Sequence, residues 1–192
     1  VHDVLTRMTA GVDPGAGAVT DFGGDHQVFA TGQALDDTPD HFLADTGTGL
    51  ELHVTDGTVA GTRLYLDLVT GPGSGPTRVV AMLGSQLLFE WGAGNYWLSD
   101  GTTAGTSPLP PIPPIGTVLG SVNGRLLYTS DGTCSLQASG QVEQLTTMPT
   151  VLHRLNGTTY LSGSGYLYAT DGTSSGTTFL RSGMTNPVVS QG

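Results

Sequence analysis

The sequence predicts an all-β fold: about four four-stranded antiparallel sheets in series, the blades of a β-propeller or of an arc of one. Three observations carry this. The first is a repeat: His53-Val54-Thr55-Asp56-Gly57-Thr58-Val59-Ala60-Gly61-Thr62 returns as Trp97-Leu98-Ser99-Asp100-Gly101-Thr102-Thr103-Ala104-Gly105-Thr106. It returns again as Tyr168-Ala169-Thr170-Asp171-Gly172-Thr173-Ser174-Ser175-Gly176-Thr177, so [ST]-D-G-T-x-x-G-T occurs three times. The second is composition. Gly at 30 and Pro at 11, with only 11% of residues charged, suit short strands joined by tight turns. The third is pattern: short apolar stretches bounded by turn residues, without the 3.6-residue periodicity of a helical repeat.

The elements follow in order. The first unit, about 20–70, reads as strands Gln27–Thr31, His41–Asp45, Leu50–Thr55 and Arg63–Leu68, with an insertion from Gly32 to Asp40. The second, about 71–112, reads as Thr77–Leu83, Gln86–Trp91, Asn95–Ser99 and Ser107–Leu109. The third, about 113–147, gives Thr117–Val122, Arg125–Thr129, Ser135–Ala138 and Gln141–Leu145. The fourth, about 148–181, gives Val151–Leu155, Thr158–Ser162, Tyr166–Thr170 and Thr177–Leu180. Residues 1–19 and 182–192 supply strands of an incomplete or shared blade, and the whole of 1–192 is read as a single repeat domain. Val1-His2-Asp3-Val4 carries no Met and no signal-peptide pattern, as expected of a mature product or a piece of a longer chain.

The third unit departs from the repeat. Gln86-Leu87-Leu88-Phe89 aligns with Arg125-Leu126-Leu127-Tyr128. In that register Ser135–Gly140 is the eroded counterpart of the Asp-Gly-Thr strand and loop. Asp131-Gly132-Thr133 is then out of phase, with Asp131-Gly132 a hairpin turn. Pro108-Leu109-Pro110-Pro111-Ile112-Pro113-Pro114 reads as a stiff polyproline-type connector.

Charge excludes some functions. The formal net charge is −10, every basic residue is Arg, and Glu occurs only at positions 51, 90 and 143. Such a chain repels phosphate backbones and anionic membrane surfaces, so neither nucleic acid nor membrane is expected as a partner. No apolar run is long enough to cross a bilayer. A single cysteine, Cys134, rules out an intrachain disulfide and reads as a small strand residue.

In the repeated loop, Asp56-Gly57-Thr58, Asp100-Gly101-Thr102 and Asp171-Gly172-Thr173 are expected to be structural. Asp at a turn start accepts backbone N–H groups, and Gly supplies a positive φ. A sugar or cation at each repeated Asp is the functional alternative. The loops resemble the ELWxxDGT repeats of bacterial exported and surface proteins. Glu51-Leu52-His53-Val54-Thr55-Asp56-Gly57-Thr58 matches best, with His at the Trp position. Asn95-Tyr96-Trp97-Leu98-Ser99-Asp100-Gly101-Thr102 keeps the Trp, and Tyr168 stands there in the fourth unit. The resemblance implies a propeller-like fold and an extracellular or cell-surface setting, and it implies no reaction.

Candidate chemistry is sparse. Asp36, Asp37 and Asp40 offer oxygen ligands for calcium in the acidic insertion, against a solvated loop. Trp97 and Tyr168 are candidate ligand-stacking rings, against a role between sheets. His26, His41 and His53 read as surface or packing histidines rather than a zinc set. Gly172-Thr173-Ser174-Ser175-Gly176 matches G-x-S-x-G as a string but joins two strands, not a strand and a helix. No catalytic residue is assigned, and no enzyme is expected. The expected role is an extracellular structural or protein-interaction module that binds other chains or itself through open blade edges. A lectin-like propeller binding glycans is the alternative, and a propeller hydrolase a more distant one.

Overall fold

The computed structural model describes residues 40–45, 49–56, 58–71, 73, 75–148 and 150–183. Within them the regular structure is all strand, paired antiparallel into four meanders. Sheet 1 is β1 (Asp40–Asp45), β2 (Leu50–Thr55) and β3 (Arg63–Leu66). Sheet 2 is β4 (Arg78–Leu83), β5 (Gln86–Glu90), β6 (Tyr96–Ser99) and β7 (Ser107–Pro108). Sheet 3 is β8 (Val118–Val122), β9 (Arg125–Ser130), β10 (Gly132–Leu136) and β11 (Val142–Thr146). Sheet 4 is β12 (Val151–Leu155), β13 (Thr158–Gly163), β14 (Tyr166–Thr170) and β15 (Thr178–Arg181). These are the blade-like sheets that the sequence predicts. The expected strands at Gln27–Thr31, within 1–19 and beyond 183 lie outside the described residues.

The hairpins follow from turn chemistry. Asn123-Gly124 joins β8 to β9 with φ of 48° and 75°, the pair of positive values that a two-residue turn needs to match strand twist. Asn156-Gly157 and Ser164-Gly165 repeat it in sheet 4.

Two elements differ from the sequence reading. The third strand of sheet 3 begins at Gly132, not Ser135. The chain reverses over Asp131 with Gly132 already opposite Ser130. Gly132 has φ 136°, and a Cβ there would overlap the Thr146 carbonyl, so only glycine lets the ladder start this early. The register alignment itself stands. Leu126 faces Leu136 and Tyr128 faces Cys134, as Leu87 faces Ser99 and Phe89 faces Trp97. The last strand of sheet 2 is only Ser107–Pro108. Pro108 has no N–H to donate, and prolines follow at 110 and 111.

Contacts divide the described chain into two compact units, where the sequence reads as a single repeat domain. One holds sheets 1 and 2 apart from Leu83–Ser85, the end of β4 and its turn; the other holds these three residues with sheets 3 and 4. Inside each unit one sheet lies against the next. Side chains alternate between the two sides of a strand, and directly paired residues share a side. Each sheet therefore has a front face (Phe42 and His53; Phe89 and Trp97; Tyr128 and Cys134; Leu161 and Tyr168) and a back face (Leu43 and Leu52; Leu88 and Leu98; Leu127 and Ser135; Tyr160 and Ala169).

In the first unit the back of sheet 1 (Leu43, Leu52, Leu66) packs on the front of sheet 2 (Leu87, Phe89, with Trp91 and Trp97 alongside). In the second, Leu127, Leu145 and Val122 of sheet 3 pack on Leu161, Leu152 and Tyr168 of sheet 4. A meander with two apolar faces cannot hide both alone, so stacking is what stabilises it.

Candidate functional site

The repeated loop is built three times with the same bonds. In sheet 1, Asp56 Oδ1 accepts from the Thr58 N–H (2.9 Å) and the Thr58 hydroxyl (2.7 Å). Thr58 Oγ1 in turn accepts from the Gly61 N–H at 3.0 Å, and the Thr62 hydroxyl donates to the Thr58 carbonyl at 2.6 Å. In sheet 2 the corresponding bonds join Asp100, Thr102, Gly105 and Thr106 at 2.9, 2.7, 2.9 and 2.6 Å. In sheet 4 they join Asp171, Thr173, Gly176 and Thr177 at 2.8, 2.7, 2.9 and 2.6 Å.

These bonds account for every position of the motif. The hydroxyl before the Asp meets the last Thr: Thr55 with Thr62, Ser99 with Thr106, Thr170 with Thr177. The last Thr has a single hydroxyl proton, already given to a carbonyl, so Thr55, Ser99 and Thr170 are the donors. Ser99 and Thr170 also accept the N–H of the glycine after the Asp, at 3.0 Å each. Gly101 and Gly172 sit at φ 92° and 90°. Gly57 lies outside the described residues. The second glycine is required for a different reason: a Cβ at Gly61, Gly105 or Gly176 would overlap the Asp carboxylate. Hydrogen bonds from threonine hold the carboxyls of Asp56, Asp100 and Asp171 below their ordinary range.

The loops also reach the preceding sheet of the same unit. A Cβ on Gly101 would meet the Tyr65 ring at 3.1 Å. In sheet 4, Asn123 Nδ2 donates to the Asp171 carbonyl at 3.0 Å. Glu143 on β11 accepts from the Ser174 N–H (2.8 Å) and hydroxyl (3.0 Å), while its other oxygen takes Arg125 at 2.7 Å. The Ser174 N–H and Arg125 hold the Glu143 carboxyl low. Ser174, the centre of the G-x-S-x-G string, is thus a loop anchor with its hydroxyl given to a carboxylate.

Sheet 3 lacks the loop. Gln137 stands at the Asp100 position, and the chain turns over Gln137–Gln141 with backbone bonds of 2.9 Å. With its oxygen toward the guanidinium, the Gln137 amide accepts from Arg125 at 3.0 and 3.1 Å. The position freed from loop closure therefore helps to fix the arginine that binds Glu143.

The remaining candidates are dispersed. Trp97 and Tyr168 occupy equivalent ladder positions, opposite Phe89 and Leu161. Both are half-buried. Trp97 lies 5.2 Å from Trp91, and Tyr168 meets Phe179 edge-on at 5.7 Å. His41 and His53 sit on opposite faces of sheet 1, because His53 pairs with Phe42 and His41 with Val54. His53 Nδ1 donates to the Glu51 carbonyl at 3.1 Å, and burial lowers its pKa. Asp36 and Asp37 lie outside the described residues, and so does the side chain of Asp40. Cys134 is buried in β10, and burial pushes its thiol up. Among the described residues no cluster of three or more His, Cys, Asp or Glu forms a metal site.

Sequence reasoning missed the glutamates. Glu90 pairs with Arg78 at 3.0 Å, and Glu143 binds Arg125 and Ser174. Glu51 is 1% exposed and accepts from the Leu68 N–H at 3.2 Å. Burial is the main cause that raises its pKa. Their scarcity in an Asp-rich chain was the available signal.

Comparison with known proteins adds little. No family model matches the chain, and no curated protein matches it. Among solved structures it is similar to the extracellular domain of BT4673 from B. thetaiotaomicron, a protein assigned to the one-component systems. The TM-score is 0.44 at 11% identity, over 90% of this chain. The chain spans about a quarter of that structure's length, 24%.

Proposed function

We propose that the chain is a non-catalytic structural and protein-interaction module of an extracellular or cell-surface protein, and that it associates with other chains or itself through an open blade. One observation carries this reading. Three large apolar side chains of the last sheet are exposed: Val151 by 59%, Phe179 by 52% and Leu180 by 48%. Val151 lies on one edge strand of the sheet, β12, and Phe179 and Leu180 on the other, β15. Exposed apolar side chains on edge strands mark association sites. In contrast, Oδ1 of each repeated Asp and the hydroxyl of the Thr two residues on are bonded to each other inside their own loop. The extracellular setting is supported by the resemblance to ELWxxDGT repeats alone.

Light scattering over a range of concentrations tests the reading. The mass is expected to rise above the 19.7 kDa of one chain. A strict monomer at every concentration overturns self-association. The carbohydrate reading draws on the Tyr166 and Tyr168 rings, whose centroids lie 6.3 and 5.7 Å from that of Phe179. Glycan binding lost on Tyr168→Ala would put that reading first.

A further inference from the structure

We infer that Asn156 is a site of spontaneous covalent modification, converting in the folded chain to aspartate and isoaspartate, and that a hydrogen bond to the next sheet holds back the same chemistry at Asn123. Asn-Gly occurs twice in the chain, at Asn123-Gly124 and Asn156-Gly157. A glycine after asparagine leaves its own amide nitrogen unhindered, because no Cβ stands beside it. The nitrogen of Gly157, its proton taken by solvent hydroxide, forms a bond to Asn156 Cγ. The Cγ–Nδ2 bond then breaks, and the side-chain nitrogen takes a proton from water and leaves as ammonia. Water opens the resulting cyclic imide. Attack at Cγ gives aspartate, and attack at the backbone carbonyl carbon of residue 156 gives isoaspartate. The sum is amide plus water to carboxyl plus ammonia, with no change of oxidation state.

The two sites are matched in backbone and access. Each is the two-residue turn that leads out of an edge strand, β8 or β12. The φ values are 48° and 75° at Asn123-Gly124, and 51° and 77° at Asn156-Gly157. All four residues are exposed.

They differ in what holds the side chain. Asn123 Nδ2 donates to the Asp171 carbonyl of sheet 4 at 3.0 Å. The same loop of sheet 4 closes on the turn, since a Cβ on Gly172 would lie 3.1 Å from the Val122 carbonyl oxygen. The Asn156 amide has no hydrogen-bond partner among the described residues. Arg154 donates to the Ser121 carbonyl, a bond that joins the two hairpins and favours neither. Ring closure needs the asparagine side chain to swing onto the glycine nitrogen. At Asn156 that movement disturbs only the tip of its own hairpin; at Asn123 it must first break the bond to Asp171. Local opening costs least where the fewest contacts are given up. Isoaspartate carries the chain through its side chain, so it lengthens a turn whose type depends on two residues, and it adds a negative charge to a chain already at −10.

Incubation of the full folded chain at mildly alkaline pH tests this, with mass spectrometry of the proteolytic peptides that hold residues 123 and 156. Labelling by an isoaspartyl methyltransferase identifies the isoaspartate product in each peptide. In the folded chain Asn156 is expected to react about three- to tenfold faster than Asn123, the worth of one hydrogen bond in a rate. In denaturant the two are expected to react alike. Asn123 reacting at least as fast as Asn156 in the folded chain overturns the inference. So does a folded chain that yields no product at Asn156 where the unfolded chain does, or a bias toward Asn156 that persists in denaturant.

Discussion

Sheets 3 and 4 solve one problem in two ways. Each must carry its chain from the third strand to the fourth. Sheet 4 uses the seven-residue loop from Asp171 to Thr177, closed by an Asp–Thr–Gly–Thr network. Sheet 3 uses five residues from Gln137 to Gln141 and two backbone bonds. Both produce the same ladder: Cys134 opposite Gln144 corresponds to Tyr168 opposite Phe179, each beside a bulge. The difference teaches that the motif closes a long loop and is dispensable where the loop is short. Polar capacity moves elsewhere in sheet 3. Thr133, fully buried, bonds the Thr150 hydroxyl at 2.7 Å and accepts its N–H at 3.1 Å.

The sharpest way to break this comparison is to remove that substitute network. Thr133→Val strands the buried Thr150 N–H and is expected to destabilise by about 2–3 kcal/mol, read by denaturant unfolding. Next comes Gly176→Ala, which drives a methyl into the Asp171 carboxylate and is expected to cost on the order of 1–3 kcal/mol. A loss as small as that of a surface substitution would show that the network adapts and that the glycine is not required. Thr102→Val deletes one hydroxyl with two partners, Asp100 and Gly105. It is expected to lower stability by about 1–2 kcal/mol.

Ser135→Ala sharpens the comparison from the other side. Ser135 stands where sheet 2 has Leu98, is fully buried, and its hydroxyl lacks a hydrogen-bond partner. Its removal is expected to be neutral or stabilising by up to about 1 kcal/mol.

The smallest effect is in pH. The loop carboxyls titrate lower in the folded chain than unfolded, so their contribution is present above the ordinary Asp value of about 3.9. It is lost as pH falls through their folded values. Glu51, raised by burial, acts with the opposite sign: its contribution is present at low pH and is lost as pH rises through its folded value. Asp56→Asn, Asp100→Asn and Asp171→Asn together are expected to flatten the acid limb of melting temperature against pH. An unchanged limb would assign acid sensitivity to Glu143 instead, whose carboxyl is also held low.

Much of the fold was legible because turns and ladders are local. Asn123-Gly124 states its own turn type, and strand alternation states which residues share a face. The motif was legible as structure for the same reason, since all its bonds span four residues or fewer apart from the hydroxyl pair seven apart. The early start of β10 was not, because the room at Gly132 depends on Thr146, at the far end of the neighbouring strand β11 and 14 positions along the chain. Nor was the Arg125–Glu143–Ser174 clasp, whose partners lie 18 and 31 positions apart.

By itself, the sequence determined the period, the antiparallel meander and the chemistry of each loop, because these depend on φ preference, hydroxyl geometry and side-chain alternation over a few residues. Only the tertiary structure decided which faces are covered. Leu145 and Leu180 hold the same ladder position in successive sheets and are both leucine, so no local rule separates them. Burial depends on whether another sheet lies against the face, and that is a property of the packed chain.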